Sequence, residues 1–174
     1  LPDDLVFEDT APRLADLDGD GAPELIVVES DQRRGARLAI WGLAAGDLVR
    51  LAATPFIGTR FRWLAPVGAA DLDGDGAVEI AYVDRPHLAR VLRVWRYADG
   101  GLTPVASASG LTNHRLGMPE IEGGLRACGA GPEMVLATAD WQRIVAVRLD
   151  GGALTARALG PYDGPASLSA ALRC

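Results

Sequence analysis

Apolar positions along this chain come in short runs rather than in long periodic stretches. Leu25-Ile26-Val27-Val28 and Ile80-Ala81-Tyr82-Val83 are β-branched or apolar, too short for a helix and bounded by charged residues, so each predicts a buried strand. Behind the first run come Arg37-Leu38-Ala39-Ile40-Trp41, a turn at Gly46-Asp47, Leu48-Val49-Arg50-Leu51-Ala52-Ala53-Thr54, and then Phe56-Ile57-Gly58. The second run is answered in the same order. Val91-Leu92-Arg93-Val94-Trp95 follows it, then the turn Asp99-Gly100-Gly101, Leu102-Thr103-Pro104-Val105-Ala106 and Ser109-Gly110. A third, worn copy reads Pro132-Glu133-Met134-Val135-Leu136-Ala137, Arg143-Ile144-Val145-Ala146-Val147, Asp150-Gly151-Gly152 and Leu154 to Gly160.

Recurring strands and turns of this kind predict an all-β chain of tandem units, each with about four short antiparallel strands and no helix. Glu24, Glu79 and Glu133 hold the register between copies. Units of this size cannot bury their own faces and must stack on one another. A four-stranded meander repeated in tandem is a propeller blade, so the expected fold is a β-propeller-type array of about three blades. The approximate units are residues 12–66, 67–121 and 122–174 of a single repeat domain. Leu5-Val6-Phe7 and Arg13-Leu14-Ala15 are expected to supply an outer strand and the inner strand of the first blade. Ser167-Leu168-Ser169-Ala170-Ala171-Leu172 is expected to form an extra inner strand after the third. Closed propellers have four to eight blades. A chain that opens on Leu1-Pro2 is therefore expected to be part of a larger or truncated propeller, its N-terminal portion completing a further blade.

The chemistry sits ahead of the strands. Ala15-Asp16-Leu17-Asp18-Gly19-Asp20-Gly21-Ala22-Pro23-Glu24 returns as Ala70-Asp71-Leu72-Asp73-Gly74-Asp75-Gly76-Ala77-Val78-Glu79. Aspartates on every second residue of a curled backbone can converge on one hard cation, which takes six to eight oxygens at about 2.3–2.6 Å. The expected ligands of loop one are Asp16, Asp18, Asp20, Glu24 and the Ala22 carbonyl. Those of loop two are Asp71, Asp73, Asp75, Glu79 and the Ala77 carbonyl. Two Ca2+ sites follow. An EF-hand is excluded, because its twelfth position, a glutamate there, is Val27 or Tyr82 here and strands rather than helices follow. Aspartate and glycine also make plain hairpin turns. Four carboxylates crowded together repel one another without a cation, and a plain turn gives no reason to repeat them.

This pattern, two Asp-x-Asp-Gly-Asp-Gly-x-x-Glu loops leading into hydrophobic strands, resembles the FG-GAP or VCBS repeats. Those repeats build calcium-loaded β-propellers in integrin α-subunits and in many bacterial secreted proteins. The resemblance is specific at the two loops and rests on strand pattern alone in the third unit. The Phe-Gly element of the family has Phe56-Ile57-Gly58 as its nearest match. What the resemblance implies is a loop between the first two strands of each blade and a calcium ion that is structural.

Charge and the remaining chemistry narrow the function. The formal net charge is −6, but the two loops carry 8 of the 23 acidic residues. The other 15 nearly balance the 17 basic residues, all of which are arginine. Nucleic acid is not a suitable partner for such a surface. Arg60-Phe61-Arg62-Trp63 is the sole basic-aromatic cluster and reads as arginine stacked on rings at a strand edge. The absence of lysine excludes Schiff-base chemistry and points towards a GC-rich bacterial genome. His87 and His114 lie in different connections with no nucleophile beside them, and a saturated calcium loop has no open position for substrate, so no catalysis is expected.

Cys128 falls where the third unit lacks a calcium loop, and Cys174 ends the expected extra strand beside it. A disulfide in place of the lost metal is expected there, two buried free thiols being the alternative. A disulfide together with calcium loops implies an extracytoplasmic protein, periplasmic or secreted. No run of about 20 apolar residues is present to cross a membrane, and no signal peptide stands in this chain. The expected role is a binding or scaffold module for a protein or glycan ligand. A lectin-like propeller stacking glycans on loop aromatics such as Trp63 and Trp141 is the alternative, whereas Trp41 and Trp95, at equivalent strand positions, are expected to pack between blades.

Overall fold

The computed structural model describes residue 1, residues 4–129 and residues 131–174. Three antiparallel sheets follow one another along the chain. The first contains β1 (Leu5–Phe7), β2 (Arg13–Ala15), β3 (Glu24–Asp31), β4 (Gly35–Ala44) and β5 (Asp47–Ala53). The second contains β6 (Leu64–Ala70), β7 (Val78–Asp84), β8 (Val91–Ala98) and β9 (Gly101–Ser109). The third contains β10 (Leu111–Thr112), β11 (Gly124–Ala127), β12 (Pro132–Thr138), β13 (Arg143–Asp150) and β14 (Ala153–Pro161). Each sheet is a meander with β3, β7 or β12 as its second strand. The sheets are β-propeller-type repeats.

Alternation along the second and third strands explains the stacking. Ile26, Val28, Leu38 and Ile40 of the first sheet meet Ile80, Tyr82 and Tyr97 of the second in one buried cluster. Ala81, Val83, Leu92 and Val94, on the other face of that second sheet, meet Met134, Leu136, Val145 and Val147 of the third. Successive side chains thus point forward and backward to different neighbours, and strands buried on both faces carry unbroken apolar runs. Inner strands converge: β6 touches β2 on one side and β11 on the other. A Cβ on Gly68 would lie 2.8 Å from Leu125 Cγ, so only glycine permits that approach.

Three expectations change. Leu5–Phe7 is not an outer strand. It pairs with Glu29–Asp31 while Arg13–Ala15 pairs with Glu24–Ile26, so both are pieces of one interrupted inner strand. Ser167 to Leu172 is not an extra inner strand but belongs to a helix, α1 (Pro165–Ala171), and its C-cap. The Ser-Leu-Ser-Ala alternation suggested a strand, yet proline in the first turn and alanines along the segment favour helix. What decides between them is burial: Leu168, Ala171 and Leu172 pack together on Val135, Ala137 and Ile144, the forward face of the third sheet. Arg60-Phe61-Arg62 lies in a turn ahead of β6 rather than on a strand edge, with the Arg60 guanidinium 5.3 Å from the Phe61 ring.

The expected disulfide is present. Cys128 and Cys174 are bonded, with Cα atoms 5.5 Å apart. Its setting differs from the expected pair of inner strands, because Cys128 follows β11 while Cys174 follows α1.

Candidate metal centre

Each loop joins the inner strand of its sheet to the second strand and ends on a glutamate at the start of that strand, Glu24 as the first residue of β3 and Glu79 as the second of β7. The backbone curls around the first aspartate. In loop one, Asp16 Oδ1 accepts from Gly19 N at 2.8 Å and Oδ2 from Gly21 N at 3.1 Å, while Asp20 Oδ1 accepts from Ala22 N at 2.7 Å. In loop two, Asp71 accepts from Gly74 N at 2.7 Å and Gly76 N at 3.0 Å, and Asp75 accepts from Ala77 N at 2.9 Å. Glycine is required at both turns, since Gly19, Gly21, Gly74 and Gly76 all have φ between 77 and 91°.

The closing glutamates are fixed differently from the aspartates. Glu24 and Glu79 are buried, and each accepts from the backbone N–H of Leu17 or Leu72 at 2.8 Å, tying the loop to the core. Leu17 and Leu72 are themselves buried in the two inter-sheet clusters. The result is one carboxylate trio per loop. Oxygens of Asp16, Asp18 and Glu24 lie within 4.8 Å of one another, as do those of Asp71, Asp73 and Glu79. Asp20 and Asp75 stand in the same turns outside these trios, and Ala22 and Ala77 lie beside them, donating their amides to them. The donor set is entirely oxygen, matching the preference of a hard divalent cation. Burial pushes the Glu79 carboxyl up, against the opposing hydrogen bonds from Leu72 N–H and Arg96.

No such trio exists in the third unit among the described residues. Glu133 is buried at the equivalent place, and its carboxylate is held by Arg126 at 2.7 Å and Arg157 at 2.8 Å. Although burial opposes ionisation there, the bonds from Arg157 and Arg126 hold Glu133 below the usual carboxylate range. Two arginines and a disulfide stand where the first two units have aspartates.

Other side chains fall into arrangements that the sequence did not announce. His87 and His114, read as unrelated, meet with Nε2 and Nδ1 2.8 Å apart, beneath Trp63, whose ring is 5.0 Å from that of His114. Trp95 packs between the first and second sheets as expected. Trp41 does not: it lies on the outward face of the first sheet, where its Nε1 donates to Glu29 at 2.9 Å and its ring meets Phe7 edge-on. That face is the one turned away from the second sheet, whereas the equivalent face of the second sheet, which carries Trp95, meets the first.

No curated protein matches the chain. The FG-GAP-like repeat family model matches residues 16–82, which begin at the first aspartate of loop one and run through the whole of loop two into β7. With the recurring loops and stacked four-stranded meanders already described, that match identifies residues 16–82 as FG-GAP-like repeat sequence, as in an FG-GAP/VCBS repeat protein.

Proposed function

We propose that this chain is an extracytoplasmic calcium-binding β-propeller repeat module that acts as a binding or scaffold surface, its Ca2+ structural. The observation that carries the reading is the recurrence of one all-oxygen carboxylate trio at the same place in two successive units. Asp16, Asp18, Asp20, Glu24 and the Ala22 carbonyl would hold one ion. Asp71, Asp73, Asp75, Glu79 and the Ala77 carbonyl would hold the other. Calcium would supply the positive charge that lets these oxygens converge. Because Glu24 and Glu79 belong to buried strand starts, the ion would bind the exposed turn to the inter-sheet core.

The FG-GAP repeat family is typically non-enzymatic, and a loop that surrounds its ion leaves no place for substrate. The Cys128–Cys174 disulfide supports an oxidising compartment, where calcium is also abundant. No helix among the described residues is long and apolar enough to cross a membrane. The loop aromatics do not favour a glycan-stacking surface: Trp63 donates to the Glu8 carbonyl and packs on His114, and Trp141 is sandwiched with Tyr162 and Arg115. Calorimetric titration with CaCl2 and with MgCl2, paired with melting in calcium or chelator, tests the reading. Two calcium sites, a raised melting temperature and poor substitution by magnesium are expected; no binding heat and an unchanged melt would overturn it.

A further inference from the structure

The two loops share a sequence but not an electrostatic state. β7 pairs with β8 so that Glu79 lies opposite Arg96. From there the Arg96 guanidinium reaches across the loop: Nε lies 2.6 Å from Glu79 Oε1, and Nη2 lies 2.8 Å from Asp73 Oδ2 and 2.8 Å from Asp75 Oδ2. One side chain therefore bonds three of the four carboxylates. In the first sheet Trp41 pairs with Leu25, which places Gly42 at the position of Arg96. Glycine carries no side chain into loop one, and a Cβ there would lie 2.7 Å from Leu51 Cδ1, the end of a side chain that occupies this space instead. The ion pairs of the first unit join Arg13 to Asp9, Arg34 to Asp31, and Arg37 and Arg50 to Glu29. Among the described residues none reaches Asp16, Asp18, Asp20 or Glu24.

We propose that Arg96 is a resident counter-cation of loop two and sets the order in which the loops take a divalent metal. This rests on the calcium reading above. Loop one fills first. Metal enters loop two by displacing Arg96, because ion and guanidinium compete for the same oxygens of Asp73, Asp75 and Glu79 and repel each other at contact distance. The Arg96 side chain is 27% exposed, so it has a route into solvent when displaced. Empty, the loops also differ. Loop two is already neutralised in part, whereas the carboxylates of loop one have only backbone N–H groups to oppose their repulsion. Loop one is thus the metal-dependent element, and loop two holds its shape at calcium concentrations too low to fill it.

Arg96→Met, which keeps the apolar stem and removes the charge, tests this by calorimetric titration of chelator-treated protein with CaCl2. An Asp18→Asn background isolates loop two. In the wild type the two sites should differ by about tenfold or more in Kd, with the weaker one lost in Asp73→Asn. Arg96→Met should tighten loop two by about tenfold and leave loop one unchanged, while lowering the melting temperature in chelator only. Arg96→Lys, a charge without the planar fork, should fall between and serves if the methionine variant folds poorly. Equal affinities in the wild type, or a loop two that is unchanged or weakened by both substitutions, would overturn the role of Arg96 alone. Absence of binding heat at both loops would overturn the calcium reading and the affinity order together.

Discussion

At the scale of single residues, burial decides which carboxylates matter for the fold. Glu29 is fully buried under Arg37, Trp41 and Arg50, accepting from Arg37 Nη2 at 2.6 Å and Trp41 Nε1 at 2.9 Å. Glu29→Ala strands two guanidinium groups and is expected to cost about 3 kcal/mol, readable as a shifted urea midpoint. Asp18 is exposed and bonded only within its own turn. Asp18→Ala or Asp73→Ala should therefore remove one calcium per chain and lower the melt in calcium, while partner binding survives at low temperature. His87 answers to pH. Burial, His114 and Arg90 hold His87 below its ordinary value of 6.5. The fold accordingly favours neutral imidazole; its contribution is present above that value and is lost as pH falls through 6.5 and below. Melting at pH 5 should lie below melting at pH 7.5, and His87→Gln should narrow that gap.

Among the elements, α1 covers a face of the third sheet. It lays Leu168, Ala171 and Leu172 on the forward face of the third sheet, which would otherwise expose Val135, Ala137 and Ile144. Arg126 Nη1 donates to the Ala171 carbonyl at 2.7 Å, and the disulfide ties the residue beyond the helix to the end of β11. A seven-residue helix does not hold by itself in water, so packing and the staple keep it in place. Leu168→Ala should cost about 3 kcal/mol, with the loss seen first as faster amide exchange in α1 and β12. Reduction, or Cys128→Ser with Cys174→Ser, reopens a loop spanning 46 residues in sequence and should cost roughly 4 kcal/mol by the chain-entropy estimate. Mass spectrometry of non-reduced protein checks the bond itself.

At the scale of the whole molecule, the three successive sheets of the described residues solve one problem in three ways. Where the inner strand turns into the second, the first unit has four carboxylates and no arginine, the second four carboxylates with Arg96, and the third a single glutamate under Arg126 and Arg157 beside a disulfide. Dependence on calcium should fall along the chain in that order. A ligand bound only by the folded state stabilises it by about 2.7 kcal/mol per site at a hundredfold excess over Kd. Chelation should therefore lower the melting temperature of the whole chain. Hydrogen exchange in chelator should show the largest loss of protection in β2 and β3 and the smallest in β11 and β12. A uniform loss across the three units would contradict the series.

The amino-acid sequence by itself determined whatever local chemistry and repetition specify. The recurring aspartate loops and the apolar runs behind Glu24, Glu79 and Glu133 disclose the strands, their order and the carboxylate sites. Turn residues and alternation act within a few positions, and a repeat shows the same local solution again. Cys128 and Cys174 were also legible as a pair, because they are the chain's two cysteines. Only the tertiary structure decided the rest. α1 is a helix because it covers a sheet face that local alternation does not encode, and Leu5–Phe7 is an inner piece because β3 is long enough to seat two strands end to end. His87 meets His114, and Arg96 enters loop two, through pairings between segments distant in sequence. Such contacts depend on which strands become neighbours, a property of the packed whole rather than of any window along the chain.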